Sequence, residues 1–106
     1  MSTYISVEDD PEVVRIQLSL GGAEKFRIYQ HEGYLYVKIL QISNGGVKDT
    51  TEEAFGVLFV VRDSYDFNLT ALEELHELQL QKESISTVTD CGKGLLEIQI
   101  PFTREA

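Results

Sequence analysis

The sequence predicts an all-β chain, an antiparallel β-sandwich with at most one short helix near residues 71–80. Three observations carry this. Apolar residues recur at every second position in a series of short runs, as half-buried strands require. Glycine-containing turns punctuate the runs. Only the stretch after Asn68 offers helical spacing. A small barrel is the alternative arrangement of the same strands.

The 106 residues suffice for one small domain with a single core. Residues 1–12 hold Glu8, Asp9, Asp10, Pro11 and Glu12 and read as a solvated lead-in, with Tyr4 to Val7 as an optional edge strand. From Val13 to Leu20, Val14, Ile16, Leu18 and Leu20 share one face and Arg15, Gln17 and Ser19 the other, until Gly21-Gly22 stops the run. Phe26 and Ile28 alternate with Lys25, Arg27 and Tyr29 in the next strand, and His31-Glu32-Gly33 turns the chain. Tyr34 to Leu40 has Leu35, Val37 and Ile39 on one face and Tyr34, Tyr36, Lys38 and Leu40 on the other. A strand with two partly apolar faces sits between layers or lines a groove.

After a polar loop, Phe55 to Val61 returns to strand composition, apolar on both faces, and alternation resumes over Tyr65 to Leu69. Thr70-Ala71-Leu72-Glu73 fits a capping box, and Leu72, Leu75 and Leu78 form a helical stripe reaching roughly Leu80. Ser84 to Asp90 is a β-branched strand. The turn Cys91-Gly92-Lys93-Gly94 joins it to the most regular run of all, Leu96, Ile98, Ile100 and Phe102 against Glu97 and Gln99, ended by Pro101. Phe26, Ile28, Leu96, Ile98 and Ile100 are expected in the core.

Charge and chemistry exclude several functions. Eighteen acidic against nine basic residues give −9, which opposes phosphate backbones and anionic lipid, so no nucleic-acid or membrane partner is expected. The aromatic residues lack the interleaved basic ones that base-stacking sheets use. His31 and His76 stand alone, no calcium-loop pattern occurs, and Gly92-Lys93-Gly94 lacks the spacing of a phosphate loop. Cys91 has only Lys93 to activate it and cannot form an internal disulfide, which points to a reducing, cytoplasmic setting. The sequence therefore predicts no enzyme, metal or cofactor, and binding through apolar surface remains.

Gly94-Leu95-Leu96-Glu97-Ile98-Gln99-Ile100-Pro101, Phe67-Asn68-Leu69, and Phe26-Arg27-Ile28 followed by Gly33-Tyr34-Leu35-Tyr36-Val37-Lys38 resemble, in order and spacing, the α-crystallin domain of the small heat shock proteins, the Hsp20 family. The resemblance spans 13–102 and implies an immunoglobulin-like sandwich. Residues 103–106 stand where the family's C-terminal extension begins, so a minimal member or the core of a longer protein is expected. Thr70 replaces the family's proline, Tyr65 its arginine, and the segment Ala71 to Glu83 is longer than the family's connection.

The resemblance further implies an ATP-independent holdase for partly unfolded clients, acting as a homodimer or within larger oligomers. Its client and tail groove would be lined by Tyr34, Tyr36, Leu40 and Val88, with Leu35, Val37 and Ile39 as the alternative register. Its dimer interface would join the strand Phe55, Val57, Phe59 and Val61 to a receiving edge at Val13 and Arg15. A p23-like co-chaperone or adaptor sandwich, binding one folded partner as a monomer, is the alternative.

Overall fold

The computed structural model describes residues 3–43, the backbone of 51–54, and 57–104. Its strands form two antiparallel sheets in two compact units, one made of Met1–Gly22 with Leu69–Ala106 and one of Ala23–Asn68.

In the first unit, β1 (Tyr4–Asp9), β2 (Glu12–Ser19), β9 (Leu95–Thr103) and β7 (Gln79–Leu80) follow in that order, and β8 (Ser86–Asp90) also pairs with β9. The residues expected to be a solvated lead-in are therefore largely strand. Their alternation allows it, because Ile5 lies opposite Ile16 and Val7 opposite Val14. The same face continues across the sheet through Ile16 with Ile98, Val14 with Ile100 and Leu18 with Leu96, and all six of these β2 and β9 residues are buried. On the opposite face, Arg15 ties three strands together. Its Nε donates to Glu8 at 2.8 Å and its Nη1 to Glu97 at 2.9 Å, while Gln17 and Gln99 also donate to Glu97.

The second unit has the order β3 (Lys25–His31), β4 (Tyr34–Ile42), β6 (Val57–Asn68), β5 (Thr51–Ala54). The turn Glu32-Gly33, with φ of 49° and 81°, has the two positive dihedrals of a tight hairpin. Leu35, Val37 and Ile39 are buried as their alternation requires, whereas Phe26 and Ile28 are only half-buried because β3 is an outer strand. Among the described residues neither sheet closes on itself, so the barrel alternative is not realised there. The runs expected as separate strands at 55–61 and 65–69 are one twelve-residue strand, β6, with a register shift opposite Ile39 and Leu40.

Candidate functional site

The helix α1 (Leu69–His76) begins two residues before the expected span. Its end is set by backbone geometry. Glu77 takes φ of 53° and the Leu78 N–H donates to the Glu73 carbonyl at 3.1 Å, the pattern in which a left-handed residue satisfies the last helical carbonyls. The capping role expected for Glu73 is corrected: its carboxylate accepts from the Leu80 N–H at 2.9 Å and lies 3.5 Å from Lys82, pinning β7 to the helix. Leu69 is buried at the helix start, but Leu75 is 77% exposed.

Beside this bare face lies the apolar side of β1. Together they form a groove of about 620 Å³, walled by Ile5 and Val7 on the strand and by Ala71, Leu72 and Leu75 on the helix. Arg104 closes one end. It pairs with Asp9 at 3.1 Å, donates to the His76 carbonyl and holds its guanidinium 5.2 Å from the centre of the Phe102 ring. Beyond Arg104 is a second cleft, lined by Glu73, Glu74, Glu77 and Leu78.

The second unit carries two exposed features. Tyr29, Tyr36 and Tyr34 form a column across β3 and β4, with ring centroids 5.0 and 6.0 Å apart, and Asn68 donates to the Tyr34 hydroxyl at 3.2 Å. Where the end of β4 meets the start of β6, Ile42, Val57 and Leu58 are exposed.

These positions change the expected site. Tyr34 and Tyr36 meet each other on β4, as their spacing predicts, but Leu40, 3% exposed, is core and offers no surface. Val88 belongs to the other unit, on the exposed strand β8. The receiving edge predicted at Val13 and Arg15 is enclosed: Val13 lies between Glu8 and Pro101, and Arg15 between Ser6 and Gln99, so β2 has no open side. Phe59 is buried and Val61 half-buried, leaving Val57 exposed, and Phe55 lies outside the described residues. Sequence reasoning missed the β1–α1 groove. Its signals were the alternation of Ile5 and Val7 and the stripe of Leu72 and Leu75, which nothing in the sequence brings together.

The electrostatics are structural. Hydrogen bonds from Gln17 and Gln99, and then Arg15, hold the Glu97 carboxyl below its ordinary value. Hydrogen bonds to Glu97 and Glu8 raise Arg15, and one to Glu24 raises Arg62. Burial, and then Asp63, pushes the Tyr65 hydroxyl up. Among the described residues no group of three or more His, Cys, Asp or Glu side chains gathers to hold a metal ion, and no helix is long and apolar enough to cross a membrane.

No protein-family model matches the chain, and no curated protein does. A solved structure does: heat shock protein 16.0 from Schizosaccharomyces pombe, 13% identical, with a TM-score of 0.57 over 100% of this chain and 91% of that one. At that identity the likeness speaks for the fold alone, and the chain has the antiparallel β-sandwich fold of a small heat shock protein.

Proposed function

We propose that the chain is an ATP-independent holdase that binds partly unfolded proteins through exposed apolar surface. One observation carries the reading: large apolar side chains are exposed near one another, Ile5 with Leu75 in one unit and, in the other, Ile42 and Val57 on one sheet face with Leu58 on the opposite face, on a chain of net charge −9. Clustered exposed apolar residues mark interaction surfaces, and the surrounding charge keeps a loaded complex in solution. The fold likeness supports the same reading.

The proposal includes self-association as a homodimer in a reducing, cytoplasmic setting, the latter supported by the lone cysteine. Because β2 is enclosed, the dimer surface is assigned to the exposed start of β6, Val57 and Leu58. Val57→Glu with Leu58→Glu is expected to give a monomer by light scattering, and a dimer that survives both substitutions places the interface elsewhere. The function is tested by light scattering from a heated client. Suppression at near-equimolar chain is expected. A monomer with no suppression overturns the proposal in favour of an adaptor that binds one folded partner.

A further inference from the structure

We propose that the groove between β1 and α1 is where client segments dock, and that it selects an extended segment with apolar side chains at alternate positions and a basic side chain at one end. This rests on the holdase reading and names the class of client and its site.

Among the described residues β1 is hydrogen-bonded to β2 alone, so its other side is a sheet edge with no strand partner among them. Such an edge is a template for an added strand, with main-chain hydrogen bonds giving affinity and alternate side chains giving specificity. Ile5 and Val7 are two positions apart on one face, a separation of about 6.8 Å that matches the alternate side chains of any incoming strand. Those side chains enter the space that Leu72 and Leu75 wall from the helix, and 620 Å³ lies within the usual range of about 300–1,000 Å³ for ligand clefts.

Charge decides the end of the segment. Arg104 separates the apolar groove from the carboxylates of Glu74 and Glu77 and is itself engaged by Asp9 and the His76 carbonyl. The segments forming this unit, 1–22 and 69–106, hold eleven acidic and four basic residues, against seven and five in 23–68. A basic side chain passing Arg104 meets Glu74 and Glu77, whereas an acidic one is repelled. The same imbalance argues against a second copy as occupant, since it would bring like charge to an acidic rim.

The test uses the whole chain and two labelled ten-residue peptides of alternating valine and serine, one ending in two lysines and the other in two glutamates. Fluorescence anisotropy at low salt is expected to show the basic peptide binding at least about fivefold more tightly. Leu75→Glu and Ile5→Ser, each checked for an intact melting transition, are expected to weaken it about tenfold. Glu74→Gln with Glu77→Gln is expected to abolish the preference. Equal affinity for the two peptides overturns the inference, as does binding unchanged by the first two substitutions. Conversion of a dimer to a monomer by Leu75→Glu also overturns it, by making a second copy the occupant.

Heated-client scattering run in parallel separates the two readings. Suppression kept at full strength by the Ile5→Ser, Leu75→Glu double variant overturns the groove and leaves the holdase. Failure of the unmodified chain to suppress overturns the holdase, and the peptide titration still decides whether the groove binds.

Discussion

Ile98 lies at the centre of β9 with 0% of its surface exposed, opposite Ile16 on β2 and Thr87 on β8. Replacing it by alanine deletes three carbon groups, which at about 0.8 kcal/mol each is a transfer loss of about 2.4 kcal/mol. The cavity adds about 24 cal/mol per Å³, so a residual void of about 40 Å³ contributes about 1 kcal/mol more. The expected cost is therefore about 3–4 kcal/mol, a large part of the roughly 5–15 kcal/mol that holds a domain together. In urea, with a slope of about 1–2 kcal/mol per molar, circular dichroism should show the midpoint falling by about 1.5–4 M. Ile98→Val removes one group and should cost only about 0.5–1.5 kcal/mol. A loss below about 1 kcal/mol for alanine would refute the placement of Ile98 in a packed core.

Two further expectations concern stability. Glu97 has its folded value depressed by Gln17, Gln99 and Arg15, so its contribution is present above the ordinary carboxyl value of 4.5 and is lost as pH falls through the lower folded value. The gap in melting temperature between the native chain and Glu97→Gln should close on acidification from about pH 5 to about pH 3, and a gap independent of pH rejects this network as its source. Glu77→Gly relieves a left-handed residue at the helix end and should stabilise by about 0.5–1 kcal/mol, raising the melting temperature by about 2–6 °C. A lower melting temperature would show that the Glu77 side chain matters more than its backbone.

Much of the fold was legible because burial and alternation agree. In β2, β4 and β9 every buried position is apolar and the charged ones point away, so period identifies the buried face of β9 throughout and that of β2 and β4 apart from Val13 and Leu40. The helix end was not legible, because its left-handed residue is Glu77 and the usual glycine signal is missing. The open edges were not legible either. Alternation places a residue on a face but does not reveal the strand's neighbours, so Val13 and Arg15 seemed available although β1 covers them. Leu40 shares its parity with Tyr34 and Tyr36 and yet is buried, which no local pattern encodes. The groove needs residues 5–7 beside residues 71–75, a tertiary juxtaposition that leaves no trace in local spacing.

The strand β9 is partner to β2, β7 and β8, and it follows all of them in the chain. During synthesis, which runs from the N-terminus at about 5–20 residues per second, the β1–β2 hairpin emerges first and waits while about 75 residues are added, several seconds or more with Val14, Ile16 and Leu18 uncovered. The strands of 23–68 have no such wait, since each pairs only within that contiguous segment. A nascent chain of this protein thus displays, before β9 arrives, the same kind of bare apolar strand that the proposed holdase activity would cover in other proteins. Its own biosynthesis is the first place where its solubility is at stake.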